Sequence, residues 1–274
     1  MSCIVIGPGL VGSFLGAAAG ATAIVAGASG RPRALRAALP QGLRRWQPTP
    51  IALRDALAQP LPILIAARAH QTPWDDLPEH ALAAQNGLGQ RVPVATCFFA
   101  LDLIDGTVVT TGPRPRLVVA RPDRRWDGVL AAWSAAGIAV EICADARPAQ
   151  WEKAILNATV GPLCLGTGLD MAQVWGDPGL KRLVIAATGE GIAVAAACGV
   201  EITAGLDARA AAFFAAVGAH QPSVVRDPGE LPWVLGHLLR QARRHDVATP
   251  ALARIAALAG AGTTVAAVAA AAKR

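Results

Sequence analysis

Two groups of residues in this chain have types and spacings suited to chemistry. The first is Gly7-Pro8-Gly9-Leu10-Val11-Gly12, placed directly after the short apolar run Cys3-Ile4-Val5-Ile6. A strand, a tight turn and a helix start in that order form the phosphate-binding turn of a dinucleotide-binding βαβ unit. Gly7 makes the turn, Gly9 lets the backbone approach a pyrophosphate, Gly12 lets helix and strand pack closely, and the amides around Leu10 and Val11 face the phosphates at a positive helix N-terminus. In a chain with 28 glycines the plain alternative is a turn that merely packs, and the placement straight after an apolar run weighs against it. The second group starts with Lys153 and Asn157, four residues apart and therefore on one face of a predicted helix that is otherwise apolar. A surface lysine beside a solvated asparagine is the alternative here, and further polar groups are needed to make a site. Residues 220–230 supply them: Ser223 after Pro222, and Glu230 at the start of the next predicted helix, where an acid also suits the helix dipole.

The cofactor class follows from what stands after the second strand. An NAD site places an acid there for the ribose diol, and residues 1–54 contain no carboxylate. The apolar run at 23–26 leads instead into Gly27-Ala28-Ser29-Gly30-Arg31-Pro32-Arg33, where Arg31 or Arg33, with Ser29 as a donor, pairs with a 2′-phosphate. NADP is therefore preferred to NAD, against the alternative of a solvated basic helix start. The net charge of +6 has the same source, because residues 1–54 hold six arginines and no acid, leaving 19 positive and 19 negative side chains elsewhere. That surplus serves an anionic cofactor. Nucleic acid is not expected, since no basic helix, zinc spacing or aromatic RNA motif accompanies the charge.

With 53% hydrophobic and 16% charged residues, the composition is that of a compact, soluble, enzyme-like protein. Five cysteines without CxxC spacing fit a reducing cytoplasm, and no metal site is expected. The apolar N-terminus lacks the basic flank of a signal peptide. The alanine-rich stretch 247–272 is broken by Pro250 and Arg254, so a packed helix is expected rather than a membrane span.

The elements that must position these groups fall into two regions. In the first, helix patterns at 33–39 and 51–57 precede a continuous apolar run at 62–67, which fits a parallel strand buried on both faces. Arg68 follows at its carboxyl end, where open α/β sheets bind ligands, and Gln85-Asn86-Gly87 follows the next short strand in the same way. Strands are predicted at 92–99, 107–111, 117–120 and 138–142, with a helix at 125–136. Beyond residue 146 the strand signals cease, and helices are predicted at 149–160, 178–198, 206–217, 231–244 and 251–258. The expected domains are 1–146 and 147–274.

In order and spacing, these pieces resemble the ketopantoate reductase family, the NADPH-dependent 2-dehydropantoate 2-reductases. The resemblance runs nearly the whole chain, through the glycine triad, Gln85-Asn86-Gly87-Leu88-Gly89, Trp151-Glu152-Lys153 with Asn157, Pro222-Ser223 with Asp227, and Ala248-Thr249-Pro250. It implies an α/β fold: an N-terminal Rossmann domain followed by an all-helical domain like that of 6-phosphogluconate dehydrogenases, with the active site in the cleft between them. Lys153 is then the general acid that protonates the ketone oxygen, in keeping with the ordinary lysine pKa of about 10.4. Asn157 and Ser223 hold the substrate, Ser223 near its carboxylate, while Glu230 orients a substrate hydroxyl or Lys153. Asn86 lies by the nicotinamide end, and Arg68 stands where the family has a phosphate-contacting lysine.

The chain departs from the family pattern at Gly161, where a second substrate-contacting asparagine is usual, at Val225 or its neighbour and at Arg226, where Met and Gln are usual, and in an abbreviated connection from Asp227 to Glu230. These changes bear on substrate choice more than on hydride chemistry. The expected function is reduction of a small 2-keto acid, ketopantoate first, with another oxo acid or an imine as the enzyme alternative. A non-catalytic NADP sensor is the alternative of a different class. The expected partner is the small-molecule substrate, without nucleic acid or membrane, and a homodimer is allowed for.

Overall fold

The computed structural model describes residues 3–26 and 34–272, with side chains to residue 261. Ser29, Arg31 and Arg33, on which the choice of NADP rests, lie outside the described residues. The chain divides into two compact units, one of Met1–Gln85 and Gln90–Ala146, the other of Asn86–Gly89 and Arg147–Arg274.

The first unit contains, in chain order, β1 (Ile4–Ile6), α1 (Leu10–Ala19), β2 (Ala23–Val25), β3 (Arg36–Leu39), β4 (Gly42–Arg45), β5 (Thr49–Pro50), α2 (Leu53–Leu57), β6 (Ile63–Ile65), β7 (Ala81–Ala83), β8 (Ala95–Ile104), β9 (Thr107–Ala120), α3 (Asp127–Ala135) and β10 (Ala139–Cys143). Five short strands form a parallel sheet in the order β5-β2-β1-β6-β7. Its central strands are buried on both faces, which is why they read as unbroken apolar runs. Strand order reverses between β1 and β6, where Ile6 pairs with Val25 on one side and Ile65 on the other. A ligand crevice is expected beyond the carboxyl ends at such a reversal, and Gly7 and Arg68 both follow those ends.

The second sheet is built on the 14-residue β9. β8 runs antiparallel to it through a hairpin at Asp105-Gly106, both with positive φ, and β3 and β10 lie parallel to it, with β4 beyond β3. Helix α1 packs against β3 and α3. Three tryptophans lock this layer by ring N–H bonds to carbonyls: Trp46 to Ala21 at 2.7 Å, Trp133 to Leu15 at 3.0 Å and Trp126 to His80 at 2.9 Å. Two arginines of the basic N-terminal stretch belong to the fold, since Arg44 reaches the Ala18 carbonyl at 3.0 Å in the last turn of α1 and Arg36 reaches that of Asp105 at 2.5 Å.

Two sequence expectations are corrected here. The helix expected at 33–39 is, where described, the strand β3: Ala37 and Leu39 are buried and the segment pairs with β4 and β9, so tertiary pairing overrides the helical propensity of Arg-Ala-Ala-Leu. The strands expected at 107–111 and 117–120 are one continuous strand, crossed by Gly112-Pro113-Arg114-Pro115.

The second unit is helical: α4 (Arg147–Thr167), α5 (Met171–Gly176), α6 (Pro178–Ala197), α7 (Leu206–Val217), α8 (Ser223–Arg226), α9 (Leu231–Arg244) and α10 (Pro250–Ala272). α4 is its axis and packs on α6, α9 and α10. It runs seven residues past the expected end at 160, straight through Gly161 and Pro162. Asp170 and Gln173 form a capping box at the start of α5. Glu190 of α6 caps α10 from a distance, accepting from the amides of Ala251 and Leu252 at 2.8 Å each. No helix among the described residues is long and apolar enough to cross a membrane.

Candidate functional site

Between β1 and α1 the glycine triad divides its labour. Gly7 has φ of +117°, and a Cβ there would stand 2.2 Å from the Ala67 amide nitrogen, so neither its conformation nor its contact with the chain after β6 admits a side chain. At Gly12 a Cβ would fall 2.1 Å from the Gly7 carbonyl oxygen, which is the close approach of helix to turn. Gly9 is different, because among the described residues nothing beyond its chain neighbours lies within 4 Å of its would-be Cβ. It is the N-cap of α1, gives no side-chain cap, and has no acid in the turn that follows. The helical ladder begins with Ser13 N–H donating to Gly9 O at 2.9 Å, so the amides of Leu10, Val11 and Gly12 stand ahead of it at the positive end of the helix. Among the described residues, an open cradle of backbone amides with no acid in its first turn fits a pyrophosphate.

Beside it, Arg68 follows β6 and is half-buried. Its segment is fixed by a latch that sequence reading missed: Thr72 Oγ1 donates to the Arg68 carbonyl at 2.9 Å, and Gln85 Nε2 donates to the Ala67 carbonyl at 2.6 Å and to Thr72 Oγ1 at 2.7 Å. The signal available was a polar residue directly after a buried apolar strand.

In the second unit, four of the sequence-predicted residues form one hydrogen-bonded chain. Asn157 Nδ2 donates to Asn86 Oδ1 at 2.9 Å, Asn86 Nδ2 donates to Ser223 Oγ at 3.0 Å, and Ser223 Oγ donates to Glu230 Oε2 at 2.6 Å. Residues 71 and 137 positions apart in sequence are thereby fixed relative to one another. The segment Asn86–Gly89 is held on the start of α9. A Cβ on Gly87, whose φ is +89°, would lie 2.3 Å from the Trp233 carbonyl oxygen, and Leu88 N–H reaches the same oxygen at 3.4 Å. Glu230 is buried and sits in the turn that leads into α9. One helical turn beyond Asn157, Gly161 faces α8, where a Cβ would be 3.0 Å from Val224 Cγ1. The space that a longer side chain would need there is occupied by Val224.

Lys153 lies one turn before Asn157 on α4, half-buried, with its Nζ 5.1 Å from the Phe213 ring centroid. Its neighbour Glu152 is buried and forms a two-bond ion pair with Arg209. Hydrogen bonding to Glu152 raises the Arg209 pKa further, against a smaller effect of burial. Neither Arg209 nor Phe213 was singled out from sequence, although their i, i+4 spacing puts them on one face of α7.

On α9, His237 is half-buried beside Gly89, with Nε2 3.0 Å from Gln241 Nε2. Burial, then Arg240 and Arg244, lower its pKa below the ordinary 6.5. The unfolded chain therefore takes up the proton first as pH falls. The stability contributed by neutral His237 is whole above pH 6.5 and is lost as pH drops through the folded-state value. Melting temperatures measured from pH 7.5 to 5 are expected to fall less steeply for His237→Asn than for the wild type.

Comparison with known proteins adds sequence and fold relationships. The family described as "Ketopantoate reductase PanE/ApbA C terminal" matches residues 145–262. The chain is 26% identical to the 2-dehydropantoate 2-reductase of Halobacterium salinarum over 297 aligned positions, covering 94% of this chain and 97% of that protein. A PanE/ApbA family ketopantoate reductase from Ralstonia eutropha superposes with a TM-score of 0.77 at 22% identity, covering 96% of this chain and 98% of that one. D-mandelate dehydrogenase, solved in ternary complex with NADH and anilino(oxo)acetate, gives 0.79 at 18% identity, over 96% of this chain and 98% of that one.

Proposed function

We propose that the chain, whose residues 145–262 match the ketopantoate reductase C-terminal family and which is 26% identical to a 2-dehydropantoate 2-reductase, is a member of that family and an oxidoreductase that reduces a small 2-keto acid to the 2-hydroxy acid with NADPH, ketopantoate being the first substrate to try. The observation that carries this reading is the chain of hydrogen bonds Asn157, Asn86, Ser223, Glu230, one helical turn from Lys153. A protein that only senses a nucleotide has no use for such an arrangement.

The dinucleotide is held by Gly7, Gly9 and Gly12 with the amides of Leu10 and Val11, and by Arg68 at the neighbouring strand end. Ser29 and Arg31 take a 2′-phosphate, which is the basis for NADPH over NADH. When bound, NADPH supplies the hydride. Lys153 Nζ polarises the ketone and gives its proton to the oxygen as negative charge develops there. Asn157 and Asn86, fixed by their mutual bond, orient the keto acid in the reacting position. The hydroxyl hydrogen of Ser223 is directed to Glu230, so this corner presents acceptors. It suits a substrate hydroxyl better than the carboxylate expected from sequence, and the carboxylate is left to Lys153 and Asn157.

The test is oxidation of NADPH, with NADH in parallel, by purified protein given ketopantoate and a series of other 2-keto acids. Saturable turnover on at least one of them supports the reading, and the best substrate fixes the class. If NADPH binds and every keto acid fails, the reading is wrong.

A further inference from the structure

Helix α7 meets α4 through two side chains one turn apart. Arg209 grips Glu152 with Nε to Oε1 at 3.1 Å and Nη2 to Oε2 at 2.9 Å, and it also reaches the carbonyls of Ala204 at 2.7 Å and Thr203 at 3.0 Å. All three guanidinium nitrogens are therefore engaged. The Glu152 side chain is only 12% exposed and that of Arg209 39%, so the carboxylate is held from the buried side and the planar fork meets it in a two-bond geometry. Four residues further along α7, Phe213 brings its ring centroid to 5.1 Å from Lys153 Nζ, and Lys153 is the residue next to Glu152. The ring has support behind it. Phe214 lies edge-on to it at 6.0 Å, Trp175 of α5 stands 5.1 Å from Phe214, and Lys181 Nζ lies 4.7 Å from the Trp175 ring.

We propose that Phe213 is a positioning residue for the Lys153 ammonium, and that the Arg209–Glu152 fork fixes the ring at the height on α4 where the ammonium stands. This rests on the reading of Lys153 as proton donor. A lysine side chain has four rotatable bonds and a compact charge, so an unguided ammonium samples many positions. The negative face of an aromatic ring attracts that charge without accepting its proton. A carboxylate in the same place would hold the charge more strongly and compete with the substrate for it. The ring therefore guides the donor without itself taking one of its N–H groups.

Phe213→Leu keeps an apolar side chain and removes the ring. It is expected to lower kcat about fivefold to tenfold, with KM for the keto acid and the NADPH dissociation constant within about twofold of wild type. Phe213→Tyr, which restores a ring face, is expected to bring kcat back to within about twofold of wild type. Arg209→Lys keeps the charge and loses the fork, and kcat is expected to fall in the same direction. A Phe213→Leu enzyme with wild-type kcat, a loss confined to KM or to nucleotide affinity, or equal losses in the Leu and Tyr variants would each overturn the proposal. Unchanged kcat in Arg209→Lys removes the anchoring half of it. Turnover that survives Lys153→Ala refutes the reading of Lys153 itself, whereas turnover that needs Lys153 but is indifferent to Phe213 refutes this proposal alone.

Discussion

Lys153→Ala is expected to lower kcat by about two to four orders of magnitude while NADPH affinity stays within about twofold of wild type. On the proposed role of Lys153, the rate falls because the alkoxide that would form as hydride arrives loses its proton source and a positive charge beside it. Affinity persists because the nucleotide turn is made of backbone amides and glycines in the first unit, whereas Lys153 belongs to α4 in the second. Lys153→Arg is expected to recover little: its guanidinium spreads the charge and does not release a proton near neutral pH. Steady-state rates paired with a fluorescence titration of NADPH separate the two effects. An alanine variant that retains a tenth or more of the wild-type kcat removes Lys153 from the chemistry.

Substitutions at Gly9 and Gly12 are expected to fail in opposite ways. A methyl group at Gly12 would stand 2.1 Å from a backbone oxygen, so α1 must move off the turn that it closes. Gly12→Ala is expected to cost about 2–4 kcal/mol, seen as a melting temperature lower by roughly 5–10 °C. Among the described residues, Gly9 has no atom beyond its chain neighbours within 4 Å of that position, and its φ of −70° suits any residue. Gly9→Val is therefore expected to cost less than about 1 kcal/mol, as an N-cap exchange. Its branched side chain would stand in the open space ahead of the amides, where the phosphates are assigned, and NADPH affinity is expected to fall by about thirtyfold or more. Paired melts and titrations on the two variants give the answer. Normal NADPH binding by Gly9→Val means that the pyrophosphate does not lie on this turn.

What sequence reading reached, and what it missed, follow from the range of the contacts involved. The glycine turn is local: its residues lie within six positions of one another, and the positive φ of Gly7 and the approach of Gly12 to the Gly7 carbonyl are set within the turn, although Gly7 also meets Ala67 after β6. The longer helices of the second unit were legible for the same reason, since their apolar faces and breakers are local signals, whereas the short α5 and α8 were not expected and α10 runs 14 residues past its expected end at 258. β3 was not, because Arg36 to Leu39 has the composition of a helix and becomes a strand through partners about 70 residues away in β9. α4 was read too short because Gly161-Pro162 is a breaker in isolation. The helix continues through it, and the missing side chain at 161 is what lets α8 approach. Asn86, Asn157, Ser223 and Glu230 could be named from their order along the chain. That they form one hydrogen-bonded series, with its donors all directed toward Glu230, depends on packing that no spacing encodes. Arg209 and Phe213 lie further from any local signal, since their meaning comes only from the side chains of α4 that they meet.

The four residues Asn86–Gly89 pack with the helical unit although both of their chain neighbours belong to the other. The helical unit is therefore discontinuous in sequence, and it has no single cut point. A chimera that exchanges residues 147–274 between relatives would bring a new Asn157, Ser223 and α9 while keeping the host's Asn86 and the loop shaped to the host's Trp233. Specificity engineered by grafting is thus expected to transfer only when residues 86–89 travel with the graft. A change in Asn86–Gly89 and one at Trp233 of α9 are likewise expected to be non-additive in stability, since Gly87 and Leu88 meet the Trp233 carbonyl directly.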